Sequence, residues 1–465
     1  MPMYNRSGLI LATAVFASFL FSCRRNDPAA GLSPISRMAL EDTSSVYYGH
    51  FDRYPEDIHS LPIGIFDAGT DGLLALEKFL CIDRFDNITG KEVPDGIADF
   101  AGENFQYLAD FASSGDNLPG SAVKDALFLM GKEYYNLPSD EFRSGVKEPV
   151  KAIIMLSDVA CMAAGDEIET LTSLSGTGVR VVNTLMAGIN ASLEGMKGRD
   201  SYCIGIMSSP GSLSSNVYES IVREAARKDG FSGVVQVFNQ RCEGLGEAME
   251  KQPGYVCDTV YSPRESYAGP VLGMDYNNID ITLMSRYNFD TSGNALLSES
   301  SHGRYVTLQL NSIENYVRYH LVSLVERHRR SGSRIPLSCI VLEDPSYISL
   351  KDIFYKVIRE LYDFRRDGVY LYRNSISGDF RFIDPIECAA EECYRILREE
   401  GALAFSITPS ELSAFAGIYV PNAAQDSAGF TKAVPFSPRY ASPESFGIVL
   451  KEAPLTYSLL SNILY

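Results

Sequence analysis

The 465-residue chain has no C-x-x-C pair, and its nine cysteines do not cluster with its five histidines. That leaves no zinc-type ligand set, so no metal site and no cofactor are expected. It has no basic excess either. The formal net charge is −18 and the acidic residues are spread along the chain. Nucleic-acid binding needs clustered Lys and Arg against phosphates, so that function class is excluded, and the acidity is read as a solubility feature. No apolar run is long enough for an ordinary membrane span. The longest, "LILATAVFASFLF" from Leu9 to Phe21, has the length of a signal-peptide core. Length alone predicts two or three domains, and 45% hydrophobic with 22% charged residues is ordinary globular composition.

The apolar run ends in "LFSC", Leu20 to Cys23, and the charged "RRND" follows at once. Leu three residues before Cys, with a small Ser between, resembles the bacterial lipobox. The resemblance implies cleavage before Cys23, lipidation of its thiol, and export to the bacterial cell envelope with a lipid anchor in the membrane. Residues 1–22 are then signal peptide, and the polar Pro-, Ser- and Ala-rich stretch 23–58 is a tether. Of the remaining cysteines, Cys81, Cys203 and Cys339 lie in apolar runs, as buried free thiols do.

From residue 60 short apolar runs alternate with helical patterns. Strands are expected at 61–66, 151–156, 179–185, 202–207, 233–238, 338–342 and 380–384. Helices are expected at 70–80, 158–171, 213–230, 311–332, 349–364 and 386–401. Uninterrupted apolar strands between helices predict parallel sheets covered on both faces, an α/β fold. "PIGIFDAGT" (62–70) is echoed by "CIGIMSSPGS" (203–212), and "KAIIMLSD" (151–158) by "LSCIVLED" (337–344). The echo predicts two pseudo-symmetric halves facing a cleft. One comprises 60–195 plus 376–465, including a C-terminal extension. The other comprises 196–375, including an insertion at 253–310 that reads as a lid or a surface subdomain. Ligands in such sheets bind beyond the carboxyl ends of the strands. The cleft is therefore expected to be lined by Asp67, Ser157 with Asp158, Ser208 to Ser212, and Glu343 with Asp344.

Six segments in order over residues 60–400 resemble the aspartate/glutamate racemase family, glutamate racemase most closely. They are "IGIFDAGTDGLLAL" (63–76), "AIIMLSDVAC" (152–161), "IGIMSSPGSLSSNVY" (204–218), "QRCE" (240–243), "IVLEDPSYISL" (340–350) and "FIDPIECAA" (382–390). The resemblance implies a two-domain α/β fold and a site for a small carboxylate or amino-acid-like ligand. It implies catalytic positions at Asp67, Ser157 and Asp344, and binding positions at Ala68, Asp158, Val159, Ser212, Pro345 and Ser346.

The family inverts an α-carbon with two cysteine acid/base groups on opposite faces. Here those positions hold Ser157 and Asp344. A serine hydroxyl is not a base without an activating neighbour. An aspartate is a weak one unless desolvation raises its pKa. The family's Ser after the first Asp is Ala68. Its Asn-Thr is Asp158-Val159, and its Thr-His is Pro345-Ser346. The expected function is therefore non-catalytic binding of a small ligand or a partner in the interdomain cleft. The alternative is an isomerase or related lyase with Asp344 as base. Cys161, one turn after Ser157, is a packed helix thiol in the first reading and a substitute nucleophile in the second. No His stands near either motif. His302, His320 and His328 read as surface or helix-face polar residues.

Overall fold

The computed structural model describes residues 28–404, apart from 46, 68–71, 111–117, 132, 137–142 and 274–277, and also 411–417 and 453–454. Two of the sequence assignments, Cys23 and Ala68, lie outside the described residues.

The first half begins with helix α1 (Pro34–Glu41), β1 (Ile63–Asp67), α2 (Gly72–Cys81), β2 (Phe105–Asp110) and α3 (Leu118–Met130). A hairpin of β3 (Glu133–Asn136) and β4 (Arg143–Val146) follows. Then come β5 (Ala152–Met155), α4 (Asp158–Ser175), β6 (Arg180–Asn183) and α5 (Thr184–Leu193). The second half runs through β7 (Ser201–Ser208), α6 (Ser215–Lys228), β8 (Val234–Arg241), α7 (Leu245–Met249) and α8 (Met284–Tyr287). After a hairpin of β9 (Leu296–Ser301) and β10 (Arg304–Leu310) come α9 (Ile313–Arg330), β11 (Leu337–Leu342) and α10 (Lys351–Asp363). A two-residue ribbon, β12 (Arg365–Arg366) with β13 (Val369–Tyr370), leads to β14 (Ile376–Ile383) and α11 (Pro385–Glu399). Last are β15 (Glu411–Gly417) and β16 (Ala453–Pro454).

The strands form two main sheets. One has the order β16-β15-β2-β1-β5-β6, the other β14-β11-β7-β8. Apart from β16, every pairing in both is parallel. Numbered within their own halves, β2-β1-β5-β6 of the first sheet and β8-β7-β11-β14 of the second follow the same order, 2-1-3-4. The two sequence echoes fall on equivalent strands, β1 with β7 and β5 with β11. The chain therefore reverses its winding between β1 and β5, and again between β7 and β11. Those reversal points are where a parallel sheet opens a crevice.

The strands are apolar throughout because both faces are covered. All six residues of β11 and the last seven of β7 are buried. One apolar cluster lies between the sheets. It joins Ile153 and Met155 of β5, Ile204 and Ile206 of β7, Cys339 and Val341 of β11, and the inward faces of α3, α4, α5 and α6. Glu387 of α11 fastens the halves at a second place, pairing with Lys78 of α2 at 3.1 Å and Lys351 of α10 at 3.2 Å.

Three boundaries differ from the sequence reading. Part of the stretch expected as tether is folded. Ser33 caps α1, Pro34 opens it, and Ser36 and Ala39 are fully buried against α3 and α4. The Ser33 amide and the Ser36 hydroxyl both donate to Glu167 of α4, at 2.9 and 2.5 Å. Second, residues 376–383 belong to the second sheet, not the first half: β14 pairs with β11, and only the following α11 packs back on α2 and α5. Third, the segment 179–185 is strand only to Asn183, whose side chain accepts from Met186 N at 3.0 Å and starts α5. The insertion at 253–310 is a packed subdomain. Its Val256, Ile279, Leu283, Tyr287, Phe289, Leu308 and Leu310 share one core with α9, α10 and β11.

Candidate functional site

The crevice is built at the carboxyl ends of β1, β5, β7 and β11. Asp67 ends β1, and its Oδ2 accepts from Gly72 N at 3.1 Å. Gly72 is needed for that return. A Cβ there would stand 2.6 Å from Leu156 Cδ1, 2.7 Å from the Tyr107 hydroxyl and 3.0 Å from Asp67 Cβ. Ser157, after β5, caps α4 by accepting from Ala160 N at 3.3 Å. Asp344, after β11, caps the 3-10 turn Pro345–Leu350. Its Oδ1 accepts from Ser346 N at 2.9 Å and from the Ser346 hydroxyl at 2.5 Å. All three positions matching the family's catalytic ones thus accept a main-chain N–H at the start of the next element.

Asp158 does something different. Its Oδ1 accepts from Val159 N at 2.7 Å, while its Oδ2 reaches the other half and accepts from Leu213 N at 3.2 Å and from the Tyr218 hydroxyl at 2.5 Å. Ser212 lies beside the same tyrosine. Ser209 is 2.8 Å from Ser212, hydroxyl to hydroxyl, and lies beside Asp344. The result is a row of polar groups across the crevice: Asp344, Ser209, Ser212, Tyr218, Asp158. It runs from the start of the turn after β11 to the start of α4. Of the expected binding positions, Asp158 and Ser212 belong to this row, and Ser346 bonds to Asp344 at its end. Val159 and Pro345 contribute backbone at the two helix starts.

Glu343 lies beside these groups at the end of β11 and is 9% exposed. Its main-chain N–H donates to Met207 O at 2.9 Å, and its side-chain Oε2 has no hydrogen-bond partner. Burial holds the Glu343 carboxyl well above the usual carboxylate range, and the neighbouring Asp158 and Asp344 push it the same way. Asp344 is also raised, mainly by burial, against the lowering effect of Ser346 and Ser209. Burial raises the Tyr218 hydroxyl too, which keeps it a donor to Asp158.

Among the described residues, the cysteines nearest these segments are both buried. Cys161 is 3% exposed, and its Sγ donates to Met155 O at 3.3 Å. Burial pushes its thiol up to about 12, the direction that removes a nucleophile. Cys242, in the "QRCE" segment, is fully buried and likewise raised by burial. Among the described residues no group of three or more His, Cys, Asp or Glu is arranged to hold a metal ion.

The histidines correct the sequence reading. His320 and His328 are buried on α9, at 1% and 0% exposure. His320 Nε2 donates to Glu243 O at 3.0 Å and its Nδ1 accepts from Gln240 at 3.2 Å, which fixes a neutral ring behind the "QRCE" segment. Tyr218 was missed as a site residue. The segment 204–218 contains it, but its position on the apolar face of an amphipathic helix reads as core.

Comparison with known proteins gives one kind of match. No protein-family model matches the sequence, and no curated protein is similar to it. Among solved structures the chain is similar to a glutamate racemase isoform from Bacillus anthracis, at 15% identity and a TM-score of 0.41, covering 77% of this chain and 89% of that one. It is similar to glutamate racemase from Francisella tularensis subsp. tularensis in complex with D-glutamate, at 14% identity, TM-score 0.40, and 77% and 89% coverage. A third is glutamate racemase from Campylobacter jejuni, at 11% identity, TM-score 0.37, and 77% and 92% coverage. These are likenesses of fold. At such identities they say nothing of activity, and the reading of the crevice rests on its own residues.

Proposed function

We propose that this chain is a glutamate racemase-like lipoprotein of the cell envelope that does not racemise amino acids and binds a small ligand in the crevice between its two halves. One observation carries the reading: the residue in place of the first catalytic thiol, Ser157, caps α4, and the thiol one turn on, Cys161, is buried and bonded to Met155 O. Two-base inversion needs an ionisable group poised near neutral pH on each face of the substrate carbon. Among the described residues the Ser157 hydroxyl is bonded to Ala160 N and to no basic side chain. Asp344 is held as the cap of the next turn. The alternative, an isomerase or lyase with Asp344 as base, has one favourable feature, the raised Asp344 carboxyl. Its second acid/base group would have to be Asp158, whose carboxylate already accepts from Val159 N, Leu213 N and the Tyr218 hydroxyl.

The test uses the purified full-length chain and a panel of L- and D-amino acids in deuterated water. The expected result is no exchange of the α-proton. Exchange that disappears in Asp344→Asn would overturn the non-catalytic reading in favour of the alternative. The envelope assignment is tested separately. Wild-type chain expressed in bacteria should sediment with membranes and incorporate a labelled fatty acid, and Cys23→Ala should do neither.

A further inference from the structure

Three carboxylates meet in the crevice, and they are not equivalent. Asp158 receives three donors, from Val159 N, Leu213 N and the Tyr218 hydroxyl, at the start of the 18-residue helix α4. A helix start favours negative charge, so this anion is compensated in place. Asp344 receives the Ser346 amide and hydroxyl. Glu343 receives nothing on Oε2, although it is more than nine-tenths buried between those two anions. Among the described residues no Lys, Arg or His forms an ion pair with any of the three, whereas two buried glutamates elsewhere in the fold do have such partners. Glu103 faces Lys151 at 2.6 Å, and Glu326 faces Arg286 at 2.9 Å. A buried carboxyl group without donor or cation is costly to retain, and a ligand that supplies both removes the cost.

We propose that the crevice receives a small organic ammonium ion, with Glu343 as the carboxylate that binds it. The proposal rests on the non-catalytic binding reading above and names its ligand class. An ammonium group has three N–H donors and no acceptor, so it complements a buried carboxyl group whose Oε2 has no donor. A hard metal ion is a poorer match. It needs six or more oxygens converging on one point, and no such group is present among the described residues. A dicarboxylate is a worse one, since it would bring like charge towards Asp158, Glu343 and Asp344.

Binding of butylamine, 1,4-diaminobutane, butyrate and glutarate to the full-length chain is measured by titration calorimetry at neutral pH. The amines are expected to bind saturably with one site per chain, and the two carboxylates not at all. Glu343→Gln should weaken amine binding at least tenfold. Glu343→Asp, which keeps the charge one methylene back, should retain more of it than the Gln variant, and Asp344→Asn should weaken it less than Glu343→Gln does. The ammonium proposal is overturned if glutarate binds as tightly as the amines, if no amine binds at millimolar concentration, or if Glu343→Gln binds amines as the wild type does. None of these results produces α-proton exchange, so the proposal and the non-catalytic reading fail by different measurements. Should the Gln variant not fold, the wild-type comparison of amines with carboxylates decides the matter alone.

Discussion

The Asp158 carboxylate accepts the Tyr218 hydroxyl across the boundary between the two halves. Asp158 opens the helix after β5, and Tyr218 lies in the helix after β7, so one hydrogen bond ties a helix of the first half to a helix of the second.

That bond predicts an energetic coupling between the residues. A hydrogen bond to a charged, buried group is worth about 1.5–3 kcal/mol. Asp158→Asn and Tyr218→Phe should each destabilise the protein, and the double variant should lose less than their sum. A denaturant-melt double-mutant cycle should return a coupling in that range. A coupling near zero would show that the two side chains do not act together.

His320 predicts the acid side of the stability profile. Burial, with Arg327 nearby, lowers its pKa to about 3, against the opposing effect of its bond to Glu243 O. The native ring is neutral, and the unfolded ring charges near its ordinary value of about 6.5. The stabilising effect is therefore complete above that value and is lost as pH falls from there towards the folded pKa. The slope from this residue is at most about 1.4 kcal/mol per pH unit. His320→Gln keeps a donor for Glu243 O and does not titrate. Its stability should fall less steeply than that of wild type between pH 6 and 4.

The thiols should separate into two groups on alkylation of the native protein. Cys81 is exposed, and the Cys257 thiol is held below its ordinary range by hydrogen bonds from Thr259. Both should be modified first. Cys161, Cys203, Cys242, Cys339 and Cys393 are buried and should react only after denaturation. Peptide mass spectrometry reads the order, and early labelling of Cys161 would reopen it as a reactive group beside the crevice.

Lys151 and Glu103 form an ion pair at 0% and 1% side-chain exposure, and Lys151 Nζ also donates to His59 O and Ala402 O at 2.7 and 2.9 Å. Removing one partner leaves a buried charge, which costs about 3–5 kcal/mol. Lys151→Met should therefore lower the unfolding midpoint strongly. Adding Glu103→Leu should restore part of the loss and not all of it, because the two carbonyls remain without their donor.

The sequence made the sheets legible because strands buried on both faces leave unbroken apolar runs. "AIIM" and "LSCIVL" carry their assignment on their surface. It did not show α3, whose first turn holds Pro119 and Gly120. Nor did it show α5, whose start lies in the apolar segment 179–185 and is set by the Asn183 cap. The crevice residues were legible as positions, since the ends of β1, β5, β7 and β11 follow from the echoes. Their roles were not. That Ser157 caps a helix, that Asp158 reaches Tyr218, and that Glu343 lacks a donor all depend on side chains distant in sequence meeting in space.

The docking of α1 on α3 and α4 sets a distance. A free segment from 23 to 58 would let the body roam widely from a lipid at Cys23. The described fold instead begins at Pro28, with α1 seated by Ser33 and Ser36 on Glu167. Five residue steps, fully stretched, reach at most about 18 Å. If Cys23 carries the lipid as proposed, the body is leashed within a headgroup layer or two of the bilayer. Its near face is then the side of the first half that α1 covers.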